Sequence, residues 1–592
     1  MVMKSVPSGD HLIAKMFFRL LPFQILMLII NAGNCIVDSL FASNVIGQTA
    51  MSAIGIYSPL DHFLYALSMM LMSGSQLLMG KRMGRNDLQS VHGIFSTDLI
   101  VSAVVSVITS LLLILAVTLR LTDSLVPGEE ERTAVAQYML SMSFGIPALV
   151  VGQQLFAFLS MENQTRRTTV ASITCLISNT FLDYLLLSVL KMGVFGLGLG
   201  SAISYWIFFG VMAAHYFSPK AEFRFSPRFF DRHEIKKIIV QGYSGALSRF
   251  VEMFRCIIVN MLIIRYIGSV GLSAFAAVNS VMAVFWPLPF GIVSVCRMLL
   301  GVSIGEEDRT SITGIMRVAI FQGGLLQCCI SALLVLLAVP IASLFYHNPA
   351  DPVFGMTAMG FRMMPLCMPL AVFSLVFGCY AQSAGKKVLS TVLPITDGMV
   401  NVVVLSFFLI PAMGITGLYL ANILNGFICV ALIILFAWHK RKAAPRNLED
   451  LLTIPDDFGV GGDQRIDIEV REMSEVINVS GRVIAFCRQR GIDSRRASFA
   501  GLALEEMAGN VVAHGFGADR RKHEIDIRVI HRDQDIILRL RDNCIAFNPS
   551  ERVSMVNSED PSRNVGIRLV YRLAKDVKYQ NLLGVNVLTI VI

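Results

Sequence analysis

Two side chains with the chemistry for phosphate transfer, Glu506 and Asn510, lie four positions apart in a segment that predicts a helix over 493–514. Residues at this spacing share one helix face. A carboxylate there can orient or deprotonate a nucleophile, and an amide oxygen is a hard ligand suited to Mg²⁺. Asp542 ends a predicted strand, where it can accept the amino group of adenine. Gly566 opens a predicted helix whose N-terminal amides can hold phosphate. The set predicts a site for ATP and Mg²⁺.

Carboxylates inside apolar stretches form a second candidate site. Asp38 and Asp183 lie in two long apolar segments, and Asn179 is one helical turn before Asp183. A carboxylate within an apolar bundle can take up and release a proton near neutral pH, so carboxylates in such positions are predicted to be functional. Asn179 is the expected hydrogen-bonding neighbour. The alternative is that Asp38 lies at the membrane boundary and is simply hydrated.

A third candidate is a run of charges at Arg249, Glu252 and Arg255, at helical spacing. Glu252 can reach either arginine on one helix face. The two flanking arginines favour a structural ion pair. Asp397, in another apolar stretch, is a further cavity candidate.

The elements that must position these residues divide the chain of 592 residues in two. Up to about residue 438, apolar runs of the ~20 residues that cross a bilayer follow one another. About twelve spans are predicted, at 16–41, 50–80, 93–119, 134–159, 168–190, 195–217, 236–264, 271–300, 314–346, 355–383, 388–411 and 414–438. With 54% hydrophobic and 16% charged residues, this predicts a polytopic membrane protein. The net charge of +8 gives no argument for nucleic acid, because the basic residues sit mainly in short loops.

The distribution of basic residues among the loops predicts how the chain is oriented in the membrane. The even-numbered connections carry the basic residues, while the odd-numbered ones are nearly free of them and one is acidic at 129–131. By the positive-inside rule, the even loops, both termini and the tail are expected in the cytoplasm of a cell whose cytoplasmic membrane the chain spans. The basic residues of the even loops are Lys81, Arg82, Arg85, Arg166, Arg167, Lys220, Arg224, Arg228, Arg232, Lys236, Lys237, Arg309, Lys386 and Lys387.

The membrane part repeats itself at a constant offset of 221 residues. The matching pairs include Gly80 with Gly301, Asp87 with Asp308, and Gly193 with Gly414. Such repeats predict two six-span halves with a cavity between them, a common plan for secondary transporters.

Taken together, Pro22 through Asp38 to Gly47, Gly74 to Asp87, Asn179 to Gly196 and their second-half echoes resemble the multidrug and toxic compound extrusion (MATE) family. The resemblance implies antiport of small cationic, amphipathic organic molecules, driven by H⁺ or Na⁺. It also implies coupling roles for Asp38 and Asp183, and it likens Glu252 to a second-half cation-site residue of some relatives.

The tail predicts a two-layer α/β sandwich. After a linker at 439–463, strands are expected at 465–470, 523–531, 535–541, 576–580 and 585–592, and helices at 473–489, 493–514 and 564–574. The expected divisions are 1–217 (first half), 218–438 (second half), 439–463 (linker) and 464–592 (ATP-binding domain).

The tail motifs, with Asp542-Asn543-Cys544 and Asn564-Val565-Gly566 following the helix, resemble the gyrase, chaperone and histidine-kinase ATPases, and within them the anti-sigma-factor serine kinases. The resemblance implies that Glu506 is the general base, Asn510 the Mg²⁺ ligand, Asp542 the adenine reader and Gly566 part of the phosphate loop. Cys544 departs from the glycine usual there, and it predicts weak nucleotide binding or a degenerate docking module.

The sequence thus favours a cation-coupled antiporter of multidrug-extrusion type whose fused ATP-binding domain is regulatory or has serine/threonine kinase activity. One alternative is a transporter-like receptor that controls an anti-sigma-type kinase and acts on a small cytoplasmic protein with a Ser or Thr acceptor. A second is a lipid-linked saccharide flippase.

Overall fold

The structure, a computed structural model, describes residues 10–41, 45–46, 48–85, 87–122, 129–219, 221–346, 348–456, 458–460, 462–517, 523–532, 534–545, 547–550, 565–582 and 584–592. Within these ranges the chain folds into a long helical bundle followed by a small α/β domain. Asn564 of the predicted phosphate segment lies outside the described residues.

The first half of the bundle has seven helices within the described residues: α1 Asp10–Phe41, α2 Gln48–Gly84, α3 Leu88–Thr118, α4 Glu129–Ser143, α5 Ile146–Met161, α6 Thr165–Asp183 and α7 Gly193–Ala213. The second half comprises α8 Arg232–Tyr266, α9 Ser269–Phe285, α10 Pro287–Gly305, α11 Arg309–Arg317, α12 Gly324–Leu336, α13 Ala338–Phe345, α14 Pro352–Met363, α15 Met368–Ser383, α16 Lys387–Ile395, α17 Asn401–Met413 and α18 Ile415–Arg441. Single π-helical stretches interrupt three spans, at Tyr184–Val189, Val318–Gly323 and Thr396–Val400.

Each of the twelve predicted spans corresponds to a helix or to consecutive helices. Among the described residues, ten helical segments are long and apolar enough to cross a membrane, and eleven if the bent pair α4 and α5 forms one span. The predicted seventh span, α8, is 35 residues long. It is not among these segments because Arg249, Glu252 and Arg255 lie in its apolar part.

The repeat seen in the sequence has the same local structure in both halves. Asp87 caps α3 by accepting a hydrogen bond from the Ser90 backbone N–H at 3.2 Å, and its counterpart Asp308 caps α11 through Ser311 at 3.1 Å. Gly193 and Gly414, at the starts of α7 and α18, have φ values of 58° and 62°, which glycine adopts without steric cost. The halves therefore share their turn chemistry as well as their sequence pattern.

Glycines bring the two halves into close contact near the end of the bundle that faces the α/β domain, here called the domain-bearing end. A Cβ on Gly80 of α2 would lie 3.0 Å from the backbone of Gly301 on α10. One turn further, a Cβ on Gly84 would collide with the Val302 carbonyl. Gly74 meets the backbone of α8 at Ile238 in the same way. The halves are packed backbone to backbone at this end.

The linker is held against the bundle. It contains one short helix, α19 Leu448–Leu452, whose last residue is fully buried. Lys386 donates to the Thr453 carbonyl at 2.9 Å, and the Tyr380 hydroxyl donates to the Leu452 carbonyl at 2.8 Å. These contacts fix where the α/β domain begins.

The α/β domain is the predicted two-layer sandwich. Its strands β1 Arg465–Val470, β2 Ile525–Arg532, β3 Asp535–Asp542, β4 Asp576–Leu582 and β5 Val585–Val591 form an antiparallel sheet in the order β1-β2-β3-β5-β4. Within the described residues its helices are α20 Met473–Gln489, α21 Ser494–Gly515 and α22 Val565–Leu573. Alternate strand residues, such as Ile527, Leu538 and Ile590, form a buried apolar core with the helices.

The opposite face of the sheet is polar but also buried. Asp526, Arg528, Arg539 and Thr589 are each at most 8% exposed. On this face Val585 and Val587 join the apolar core of the bundle, where Phe17 and Leu20 of α1 also lie. The sheet is therefore packed on both sides, against its own helices and against the membrane part.

We expect Gly80→Val to destabilise the chain because its branched side chain would be forced into the backbone of α10. Overpacking of this kind costs about 1–3 kcal/mol. The matched control is Gly210→Val on α7, where nothing lies within 4 Å of an added Cβ. Thermal unfolding followed by size-exclusion chromatography in detergent checks this, and equal midpoints for the two variants would contradict it.

Candidate functional site

The predicted phosphate-side residues come together between α21 and α22. Asn510 donates through Nδ2 to the Glu506 carbonyl at 2.8 Å, which leaves its amide oxygen available as a ligand. The Glu506 carboxylate lies directly against Gly566, where any side chain would collide with it. Gly566 is in the first turn of α22, where backbone amides have no partner within the helix. A carboxylate, an amide oxygen and a helix N-terminus thus lie close together, and their roles in nucleotide binding stay a prediction.

The predicted adenine-side residue, Asp542, is held in a fixed orientation at the end of β3. Its Oδ1 accepts hydrogen bonds from the Cys544 backbone N–H at 3.0 Å and from Asn586 Nδ2 at 2.8 Å. Burial raises the pKa of this carboxyl, and the bond from Asn586 partly offsets that effect. The Tyr579 hydroxyl donates to Asn586 Oδ1 at 2.7 Å and so fixes the amide.

Cys544, which the sequence analysis predicted would weaken nucleotide binding, lies beside Asp542. Its side chain is 9% exposed and packs against the end of α21, since a Cβ on Gly515 would lie 2.8 Å from the thiol sulfur. The thiol fills the space beside Asp542, between the sheet and the helix that carries Asn510.

The membrane carboxylates of the first half also come together, and with Ser201 they form what is here called the acid cluster: Asp38, Asn179, Asp183 and Ser201. Ser201 of α7 donates to Asp38 Oδ2 at 3.0 Å, and Asn179 Nδ2 lies 3.4 Å from the same hydroxyl. Asp183 is fully buried, its carboxyl group interacts with that of Asp38, and among the described residues its oxygens have no other hydrogen-bond partner. Asp183 ends α6 just where the π-helical turn begins, a feature frequent at functional sites.

The second-half candidates line one cavity of about 280 Å³ between α8, α10, α15 and α16–α18. Glu252 lies between Arg249 at 3.1 Å and Arg255 at 3.8 Å, in the geometry expected of the structural ion pair. Asp397, in a π-helical turn, accepts from Ser374 at 2.7 Å and from Asn425 at 2.8 Å. Sequence reasoning missed Ser201, Ser374 and Asn425, because small polar residues in apolar helices carry no distinctive pattern.

A cluster of charges that sequence reasoning missed entirely connects the two parts of the chain. The docking cluster consists of Glu306 and Asp308, in the turn between α10 and α11, and Arg528, Arg539 and Arg541 on the polar face of the sheet. Arg528 and Arg541 both pair with Asp308, the latter at 3.4 Å. Arg541 also pairs with Glu306, and Arg539 lies 3.5 Å from it.

The buried charges of the docking cluster stabilise one another. Burial alone would raise the pKa of Asp308, but Arg528 and Arg541 hold it well below its usual range. Asp308 and Glu306 side chains are 1% and 3% exposed. The sequence indicates only part of this cluster: Arg539 and Arg541 are two residues apart on β3, which puts both on one face of the sheet, and Arg528 of β2 is the register partner of Arg539.

Comparison with known proteins identifies the family of the chain. The MatE family profile matches residues 24–185 and again 246–408, more than half of the chain and once in each half. The chain belongs to the MatE family. A second profile, the histidine kinase-like ATPase domain, matches residues 471–592 of this MatE protein, which confirms the predicted architecture.

Its relatives carry multidrug resistance names. Two of them are a probable multidrug resistance protein NorM of Neisseria meningitidis, 26% identical over 229 residues, and the multidrug resistance protein NorM of Vibrio cholerae, 25% identical over 248 residues. These alignments cover 36% and 40% of this chain and 49% and 54% of the relatives. The chain thus spans about half the length of the curated relatives it matches.

Solved structures share the fold of the membrane part. A transporter of the MOP superfamily from Pyrococcus furiosus, described as having a binding pocket of reverse polarity, superposes with a TM-score of 0.66 at 18% identity over 75% of this chain and 100% of its own. An outward-facing MATE transporter of the MOP superfamily gives 0.65 at 19% identity, over 76% and 100%.

We expect Asn510→Ala to abolish Mg²⁺-dependent ATP binding, because it removes the candidate metal ligand. Cys544→Gly should tighten binding by opening the space beside Asp542. Glu506→Gln, which keeps the shape of the side chain, should leave binding within about twofold.

Titration of the full chain in detergent with ATP, with and without Mg²⁺, measures all three variants. Binding that is indifferent to Mg²⁺, or unchanged in Asn510→Ala, would refute the assignment of the metal ligand.

Proposed function

We propose that the chain is a cation-coupled exporter of small organic molecules whose ATP-binding domain regulates transport by docking on both membrane halves. Membership of the MatE family and the relatives' multidrug resistance names support the transport activity. The observation that carries the coupling proposal is the acid cluster.

The acid cluster is built to exchange a cation. Two carboxyl groups that share an apolar site cannot both be ionised without a counter-charge, so either a proton or a Na⁺ must accompany them. Because Asp38 lies on α1, and Asn179, Asp183 and Ser201 lie on α6 and α7, loading the site draws three helices of the first half together. We assign the coupling ion to Asp38 and Asp183, with H⁺ favoured because the two carboxyl groups interact directly and can share one proton.

Asp38→Asn and Asp183→Asn should each abolish gradient-driven efflux, because an amide cannot release a proton. The matched control is Asp98→Asn, another fully buried carboxylate, whose bond from Ser75 at 2.6 Å an amide oxygen can still accept. Efflux from proteoliposomes under an imposed proton gradient checks this. Wild-type rates in both cluster variants would contradict the coupling role.

The α/β domain reaches both halves of the transporter. Arg19 of α1 donates to the Gly584 carbonyl between β4 and β5 at 3.3 Å, and Asn163 packs beside the same glycine. On the other half, the docking cluster joins the sheet to Glu306 and Asp308 at the end of α10. A transporter that alternates access must separate its halves at one end and then at the other. A domain attached to both halves opposes separation at the domain-bearing end, which loop charge assigns to the cytoplasm.

The nucleotide site and the docking cluster share strand β3. Arg541 projects from the polar face toward Glu306, and Asp542, the next residue, projects from the other face into the proposed adenine site. A shift of β3 on ATP binding therefore acts on both. This favours regulation of transport over the receptor alternative, in which Glu506 would direct phosphate to a small cytoplasmic protein with a Ser or Thr acceptor.

Arg541→Glu should release the domain, because it places like charges against Glu306 and leaves Asp308 with one arginine fewer. Breaking a buried ion pair by changing one partner costs about 3–5 kcal/mol. Protease cleavage in the exposed linker near residues 442–447 should become faster, and transport should lose its dependence on ATP.

The control for that variant is Arg482→Glu, a charge reversal at an exposed position of α20. The double variant Glu306→Arg with Arg541→Glu should restore part of the protection. Unchanged cleavage in Arg541→Glu, or equal effects of the two reversals, would count against the docking role.

A further inference from the structure

The cavity of the second half contains one more positive than negative side chain. Its charged lining residues are Arg249, Arg255, Arg297, Glu252 and Asp397. Both carboxylates already have partners. Glu252 lies between Arg249 and Arg255, and Asp397 accepts hydrogen bonds from Ser374 and Asn425.

Arg297 is the remaining charged residue of this cavity lining. It lies in the middle of α10, is 6% exposed, and its buried Nε has no hydrogen-bond partner among the residues that the structure describes. Within the described part of the chain, no carboxylate comes within 4.0 Å of its guanidinium group, and no hydrogen bond to it is found. Cys379 and Val293 line the same cavity, and neither is a carboxylate that could neutralise the guanidinium group.

A guanidinium group in this position must be charged, since it is not deprotonated in proteins. Burying an unpaired charge in an apolar bundle is costly, and residues that are buried in this way mark the path of a substrate or ion. The planar group offers five N–H donors in a fork that matches carboxylate, sulfonate and phosphate oxygens. The group is therefore completed by an anion that enters from the cavity.

The other residues that line the cavity are suited to bind an apolar group attached to that anion. Phe275, Trp286, Phe290 and Met364 line the same cavity. Aromatic and methionine side chains supply adaptable apolar contacts. The Phe290 ring is already covered by the guanidinium of Arg249, with 5.0 Å between the carbon and the ring centroid, so the aromatic wall continues into the basic one.

We propose that the second-half cavity binds an amphipathic organic anion, with Arg297 as the ligand of its acidic group. The inference rests on the proposed transport function and names its substrate class. The cationic substrate that the family resemblance implied suits the acid cluster of the first half and not this cavity.

Two matched probes test the charge preference. One is a dansyl group on a short alkyl sulfonate, and the other is the same dansyl alkyl chain ending in trimethylammonium. Fluorescence titration of the full-length protein in neutral detergent should show binding of the sulfonate, and at least tenfold weaker binding of the trimethylammonium probe. If the cation binds equally well or better, the proposal is overturned.

Variants locate the site. Arg297→Gln should weaken sulfonate binding tenfold or more, while Arg297→Lys should retain most of it. Asp397→Asn, which removes a negative charge from the same wall, should tighten it. Sulfonate binding that is unchanged in Arg297→Gln would overturn the assignment. If Arg297→Gln elutes as aggregate, the Asp397→Asn result and the charge preference of the wild type decide.

Two further measurements distinguish a failure of coupling from a failure of the anion site, and a lipid ligand from a soluble one. Asp38→Asn should keep sulfonate binding while losing gradient-driven transport, so failure of coupling and failure of the anion site give different results. Added phosphatidylglycerol should compete with the sulfonate if the natural anion is a lipid headgroup, and phosphatidylcholine should not. Lack of competition with retained sulfonate binding assigns the site to a soluble anion.

Discussion

A charged side chain removed from water is stable only if it is paired, protonated or neutralised by a ligand, and this constraint shapes each candidate site of the chain. In the first half it holds Asp38 and Asp183 together around Ser201 and Asn179. In the second half the half-buried Glu252 is paired with two arginines, and the buried Arg297 has no carboxylate partner among the described residues. At the domain-bearing end two arginines of the sheet pair with Asp308 of the membrane part. The same constraint thus gives a pair of carboxyl groups, carboxylates held by two arginines, and a single arginine.

The membrane part and the α/β domain could be predicted from sequence because their signals are periodic and long. Twenty-residue apolar runs, the 221-residue repeat and alternating strands specify elements without reference to distant contacts. The family patterns predicted Asp38 and Asp183 as one coupling set and Glu506 and Gly566 as parts of one nucleotide site, and the structure places the members of each set next to each other. Their chemical roles depend on protonation and on bound ligands, which proximity alone does not fix.

The docking cluster could not be predicted because it depends on two segments more than 200 residues apart. Glu306 and Asp308 look like an ordinary polar turn, and Arg528 and Arg541 look like the solvent face of a sheet. Only the burial of both surfaces against each other turns them into a pairing. Arg297 is a different kind of omission. A lone arginine in an apolar span was visible in the sequence, and the rule that singled out Asp38 applies equally to it.

The positions of the two membrane sites have a consequence for how this MatE protein works. The acid cluster lies wholly on first-half helices, and the basic cavity lies almost wholly on second-half helices. The anion proposed at Arg297 and the proton proposed at Asp183 therefore occupy separate sites. In the proposed mechanism, coupling between them passes through the contact of the halves, where Gly80 and Gly301 pack backbone to backbone. The α/β domain is attached beside that contact, to Arg19 on one half and Asp308 on the other. In the proposed mechanism the domain therefore acts on the step that the two ligands share, the separation of the halves, and it needs no contact with either ligand.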